Sequence, residues 1–242
     1  MTTADWKEWA LSLLFPHHCF LCGKPLPDAG WLCPSCTPPE AAGFCTCGKP
    51  PAECICQRME GCCQAVAPAW VYTQGVERGI HRFKYDGCSY YAPFLGQAVA
   101  RAVQEQLGEV PFDWVTYVPT SRARLRERGY CQTQLLAWET AARLGLPVKS
   151  GILAHTGEGT QQARQRGLRD RQANAEKNFT LAKRPDLTGR RVLLVDDVYT
   201  SGSTLFRCAG LLSGLGAQVW AAAVASAVRH KDACQGGGNV VS

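Results

Sequence analysis

The chain has 242 residues, 46% of them hydrophobic and 19% charged, which excludes a disordered or fibrous protein and leaves room for one α/β domain plus a smaller module. Its net charge of +6 is unevenly placed, because residues 122–191 hold 15 Lys and Arg against 6 Asp and Glu, giving +9 there and −3 elsewhere. A segment of that sign suits a polyanion, either a sugar pyrophosphate or a nucleic-acid backbone; the alternative is a solvated face.

At the start of the chain Trp6, Trp9, Ala10, Leu13 and Leu14 recur at helical spacing, so a short amphipathic helix is expected before Pro16. Its apolar part, residues 10–15, is too short to span a bilayer, and Asp5, Lys7 and Glu8 do not resemble the basic start of a signal peptide. A cytoplasmic protein without a transmembrane segment is the expectation.

Ten of the 14 cysteines then lie between Cys19 and Cys63. A disulfide framework suits a short secreted chain better than a signal-less one with a large α/β portion, so metal binding is favoured. Cys19-x-x-Cys22 and Cys33-x-x-Cys36 form two knuckles with the spacing of a four-thiolate zinc site, which leaves no open position for catalysis and reads as structural Zn²⁺. Cys45-x-Cys47 and Cys54-x-Cys56 offer a second site with a tighter spacing, and its occupancy stays open. His17 and His18, beside a complete set of four thiolates, read as bystanders.

From residue 66 onward strands and helices alternate. A β-prone run at 66–72 leads into a helix at 75–85 that breaks at Asp86-Gly87, followed by a helix at 92–107, a strand at 114–118 and a helix at 132–144 closed by Gly145. Residues 155–178, rich in Gly, Gln and Arg, have no sustained apolar period and read as a mobile loop. A buried-type strand at 192–195, a helix at 204–215 and a strand at 219–226 complete a parallel sheet flanked by helices, and the triple Gly at 236–238 reads as a frayed tail. The domain division expected is 1–64 for the N-terminal helix and Cys-rich module and 65–242 for the α/β domain.

The chemistry concentrates after the strand at 192–195. Asp196 and Asp197 are followed by Thr200, Ser201, Gly202, Ser203 and Thr204 and then a helix. Gly202 allows close approach of the backbone to a phosphate, the hydroxyls donate, and free N–H groups at a helix start favour an anion. The acids would repel that phosphate, so they suit sugar hydroxyls or a hydrated Mg²⁺. No Gly-Lys-Ser/Thr follows the strand, which excludes a Walker-type loop. At the end of the strand at 114–118, Thr120, Ser121, Arg122, Arg124, Arg126 and Arg128 gather hydroxyls and cations where open α/β sheets bind ligands.

The segment 192–204 resembles the phosphoribosyl-pyrophosphate motif of type I phosphoribosyltransferases. The resemblance implies an α/β, type I phosphoribosyltransferase-like fold, with Asp196 and Asp197 as the catalytic carboxylates on the ribose hydroxyls and Thr200 to Thr204 around the 5′-phosphate. It implies Thr120, Ser121, Arg122 and Arg128 around pyrophosphate, and Mg²⁺ accompanying the ligand. More widely, Tyr72-x-x-Gly75, Phe83-Lys84-Tyr85-x-Gly87, Arg128-Gly129-Tyr130-x-Gln132 and Arg171-x-x-Asn174 with Phe179 make the chain similar to ComF-family proteins of competence. Cys131 stands where that family usually has Asn.

The family implies natural transformation: a protein that handles incoming single-stranded DNA at the inner face of the membrane beside a DNA-translocating helicase. Arg164, Arg166, Arg169 and Arg171 are the nucleic-acid candidates, and Tyr130 and Trp138 either stack bases or fill the core. Lys84 is either a group near the phosphates or a snorkelling surface side chain. Two other readings stand beside DNA uptake, a phosphoribosyltransferase with an unknown acceptor and a regulator that senses phosphoribosyl pyrophosphate.

Overall fold

The structure, a computed structural model, describes residues 17–26, 30–42, 62–156, 178–200 and 202–227. The expected helix at 6–15, the cysteines Cys45, Cys47, Cys54 and Cys56, Ser201, the arginines Arg164, Arg166, Arg169 and Arg171, and the Gly run at 236–238 lie outside the described residues.

Four parallel strands form the sheet: β1 (Val66–Val71), β2 (Trp114–Tyr117), β5 (Arg191–Tyr199) and β6 (Gln218–Ser226), in the spatial order β1-β6-β5-β2. The long central strands read as continuous apolar runs because helices or a hairpin cover both faces. Leu193 and Val195 of β5 enter one core with Ala222 and Val224 of β6, whereas Val192 and Leu194 enter the other with Val219, Ala221 and Ala223. The alternation is that of a pleated strand sandwiched between two layers.

One layer holds α1 (Gln74–Tyr85), a 3₁₀ turn at Ser89–Tyr91, α2 (Ala92–Leu107) and α4 (Gln132–Leu144); α3 (Arg122–Arg128) sits at the sheet's carboxyl edge after β2. The other layer holds α5 (Ser203–Ser213) and a small antiparallel hairpin, β3 (Leu153–His155) with β4 (Phe179–Leu181).

Element types agree with the sequence expectation, with three differences that matter for the site. β5 does not end at Val195; it continues through both aspartates to Tyr199, held by parallel pairing of Asp196 with Ala223 and Tyr199 with Ser226. The segment expected as a mobile loop is entered and left through β3 and β4, with Thr156 N donating to Asn178 O at 2.9 Å. The cationic stretch after β2 is a helix from Arg122 on, capped by Ser121 and closed by Gly129 in the left-handed region.

Around the four-cysteine knuckle, Phe20 is fully buried among Trp70, Tyr91 and Phe94, with ring centroids 5.3–5.7 Å away. Gly79 of α1 makes this possible, since a Cβ there would lie 2.4 Å from the Phe20 ring. Arg82 Nη1 of the same helix donates to Phe20 O at 2.8 Å, Arg78 Nε to Leu21 O at 3.4 Å, and Tyr91 Oη to His18 O at 2.8 Å.

Candidate functional site

The site is built where β5 and β2 end. Val118 N donates to Val195 O at 3.0 Å, so the chain leaving β2 toward Pro119, Thr120 and Ser121 lies beside Asp196. Asp196 is 7% exposed, and its Oδ1 accepts a hydrogen bond from Asp197 N at 2.8 Å. Burial, reinforced by the neighbouring Asp197 charge, pushes the Asp196 carboxyl up to about 8, against the opposing pull of Asp197 N–H and Lys84. The two acids are therefore unlike each other. Asp197 instead holds an ion pair with Lys84, Nζ to Oδ2 at 2.6 Å. Burial pulls the Lys84 ammonium down, but the charge and hydrogen bond of Asp197, with Asp196 adding, outweigh it and leave the group raised. The Tyr72 hydroxyl belongs to the same cluster; burial raises it, Glu77 and Asp197 add, and Lys84 opposes.

Lys84 reaches Asp197 because two distant segments lock together. Tyr130 Oη donates to Phe83 O, and Gln132 Nε2 donates to Lys84 O at 3.4 Å. Arg128 Nη1 donates to Gln132 Oε1 at 2.9 Å, while its guanidinium carbon lies 4.4 Å from the centre of the Tyr85 ring. Thus the motif at 128–132 clamps the carboxyl end of α1. The Cys131 departure has a local account: Cys131 is buried, its Sγ 3.3 Å from Thr133 Oγ1, and that hydroxyl in turn donates to Val118 O at 2.6 Å. Tyr130 therefore serves the clamp, while Trp138 on α4 is 50% exposed.

The loop after β5 turns sharply into α5 at Gly202. Gly202 has φ of 73°, and a Cβ there would meet the Phe206 ring at 2.3 Å. It begins α5 without a side-chain cap, and a helix start of this kind favours an anion. Thr200 is exposed, and Ser203 and Thr204 are half-buried. On the opposite bank Ser121 is buried, its Oγ accepting from Arg124 N at 3.3 Å, so this oxygen first serves as the cap of α3. Thr120 is half-buried and Arg122 exposed. Arg128 Nε is buried and finds no acceptor among the described residues, a donor in want of an anion.

The four knuckle sulfurs of Cys19, Cys22, Cys33 and Cys36 lie within 4.8 Å of one another, with Cys22 and Cys33 Sγ 3.6 Å apart. Zinc–sulfur bonds of about 2.3 Å in a tetrahedron require sulfurs about 3.8 Å apart, so the set fits zinc. His17 is not among them; it stacks on Tyr90 and Trp31, at 4.8 and 6.0 Å.

The sequence leaves Lys84 open between a group near the phosphates and a surface side chain; the structure pairs it with Asp197. Tyr72 and Gln132, quoted only as parts of motifs, prove to be members of the same cluster.

The phosphoribosyl transferase domain family matches residues 136–235. Competence protein F of Haemophilus influenzae is 32% identical over 178 residues, 66% of this chain and 76% of that one. DNA utilization protein YhgH of Salmonella typhimurium is 28% identical over 229 residues, covering 86% of this chain and 97% of its own, and its Escherichia coli K12 counterpart is 28% identical over 230 residues with the same coverage. Among solved structures, the allosteric regulatory enzyme of purine biosynthesis aligns at 25% identity and a TM-score of 0.37, over 55% of this chain and a quarter (25%) of its own.

Two outcomes are expected. The Asp196 carboxyl keeps its proton in the folded chain well past the pH at which the unfolded chain releases it, so the folded state binds more protons between about pH 4 and 8 and ligand-free stability falls as pH rises through that window. Asp196→Asn should flatten the fall in thermal midpoint between those limits; an unchanged slope would place the linkage elsewhere. Replacing Cys33→Ser should remove one equivalent of zinc per chain, read by mass spectrometry. It should also lower the midpoint by about 5 °C or more as the Phe20 packing loosens.

Proposed function

Because the chain belongs to the ComF family and carries a phosphoribosyltransferase domain, we propose that it is a DNA-utilization protein of natural transformation that binds phosphoribosyl pyrophosphate and single-stranded DNA. The observation that carries the phosphoribosyl part is the meeting, at one sheet edge, of the Asp196–Asp197 pair, the uncapped start of α5 and the cationic exit of β2. Such an arrangement separates acceptors for hydroxyls from donors for phosphates, which is what a ribose phosphorylated at one end and pyrophosphorylated at the other requires.

Asp196 and Asp197 accept hydrogen bonds from the ribose hydroxyls, and Thr200, Ser201, Gly202, Ser203 and Thr204 receive the 5′-phosphate with the N–H groups of α5. Thr120, Ser121, Arg122 and Arg128 receive pyrophosphate, the unpaired Nε of Arg128 gaining an acceptor. Asp196 and Asp197 are the carboxylates that would hold the water shell of a Mg²⁺ accompanying the ligand, which would supply charge neutralisation for pyrophosphate. The zinc of the Cys19–Cys22–Cys33–Cys36 knuckle is structural: through Phe20 and Arg82 it braces the helix that presents Lys84.

Single-stranded DNA is bound through the +9 segment, with Arg164, Arg166, Arg169 and Arg171 as phosphate contacts. The hairpin that bears this stretch stands near α3, since His155, already lowered by burial, is lowered further by the Arg124 charge. No helix among the described residues is long and apolar enough to cross a membrane. Its place at the inner face is through a DNA-translocating partner.

Calorimetry with phosphoribosyl pyrophosphate and Mg²⁺ tests the first half. The Asp196→Asn, Asp197→Asn variant should bind about a hundredfold more weakly, the loss of charged hydrogen bonds worth about 1.5–3 kcal/mol each. Equal affinity of variant and wild type would refute the ligand assignment. For the second half, reversing the charge of Arg164, Arg166 and Arg169 should weaken single-strand binding and reduce its salt dependence by about 0.7 in log–log slope per lost phosphate contact.

A further inference from the structure

α3 is a helix with caps and no core. Ser121 closes its start and Gly129 its end, yet none of its residues is buried. Seven residues are too few for a helix to stand by propensity alone, so its stability must come from packing or from a partner. Leu125 is 43% exposed, and Arg122, Arg124 and Arg126 form no ion pair among the described residues. Near it stands a large exposed ring, Tyr85, 51% exposed. Arg128, the last residue of α3, lies over that ring at 4.4 Å, and His81 lies 4.7 Å from it at an interplanar angle of 39°. Tyr85 directly follows Lys84, whose ammonium is on Asp197. The exposed ring is thus tied to the mouth of the site on one side and to a row of unneutralised arginines on the other.

A cationic row beside an exposed ring, whose electrons are polarised by a guanidinium, is the chemistry that grips a single strand: phosphates go to the arginines and an unstacked base to the ring. A duplex keeps its bases stacked and offers no face to the ring. An acidic protein surface satisfies the arginines and leaves the ring without use. We propose that Tyr85, with Arg128 behind it and Arg124 and Arg126 of α3 beside it, is a base-stacking platform that holds one nucleotide of single-stranded DNA at the mouth of the phosphoribosyl site. It rests on the single-strand reading above and adds to it a location, outside the Arg164–Arg171 stretch, and a requirement for bases.

The test uses the full chain and fluorescence anisotropy with a labelled thymidine strand of about 20 nucleotides, beside the same strand with abasic sites. Tyr85→Ala should weaken binding of the intact strand about tenfold and leave the abasic strand unchanged, and Tyr85→Trp should restore it. Arg124→Glu with Arg126→Glu should weaken both strands and lower the log–log salt slope by about 1.4. Circular dichroism should give the wild-type spectrum for all three variants, which establishes that they are folded, and calorimetry with phosphoribosyl pyrophosphate is run on wild type. If wild type binds the strand and Tyr85→Ala binds the intact strand as tightly as wild type does, the platform is refuted while single-strand binding stands. If wild type binds no single strand, both are refuted. Loss of sugar-pyrophosphate binding in wild type, with the DNA results as expected, would refute the phosphoribosyl reading and support this one.

Discussion

The ion pair between Lys84 and Asp197 is the constraint around which the site is arranged. Two adjacent carboxylates at the end of a buried parallel strand cannot both stand charged without compensation, and here the compensation is divided. Asp196, with no cation of its own and nearly no solvent, retains its proton to higher pH, while Asp197 takes the ammonium at 2.6 Å. Removing one member of a pair this enclosed leaves an uncompensated charge, which costs about 3–5 kcal/mol in buried cases and somewhat less where, as here, each side chain retains some solvent.

That pair dictates where α1 must end. The helix is fixed at its flank by the four-cysteine knuckle, through Arg82 to Phe20 O and the fit of Phe20 against Gly79, and at its carboxyl end by Tyr130 and Gln132. The cysteine module therefore bears on the site without touching it. It stiffens the element that delivers Lys84, and this gives a four-thiolate site with no open position a reason to sit beside a ligand-binding sheet.

Much of this was legible in the sequence for identifiable reasons. Val192 to Val195 is a continuous apolar run, which marks a strand covered on both faces, and the Thr–Ser–Gly turn after it carries its own chemistry. The four-thiolate knuckle was legible from spacing alone. The continuation of β5 through Asp196 and Asp197 was not, because acids normally interrupt a strand and only its pairing with Ala223 to Ser226 carries it on. The β3–β4 hairpin is hidden because each strand has three residues and the chain between them has no apolar period. The meeting of Lys84 with Asp197, and of Phe83 with Tyr130, is a product of the strand order β1-β6-β5-β2, which no local pattern encodes.

The order of the strands also explains why charges of both signs share one edge without cancelling. β5, between β6 and β2, presents its acids at the centre, while the exit of β2 turns into α3 and carries its arginines outward. Among the described residues only Lys84 bridges inward, and Arg128 is kept from the acids by Gln132 and the Tyr85 ring. A site whose acceptors lie deep and whose free donors lie at the rim selects ligands that are hydroxylated at their inner end and anionic at their outer end. The same rim of cations is continued past the site by the exposed side of α3, so the charge pattern of this one edge suits the double role proposed for it, a phosphorylated sugar within and a phosphodiester chain outside.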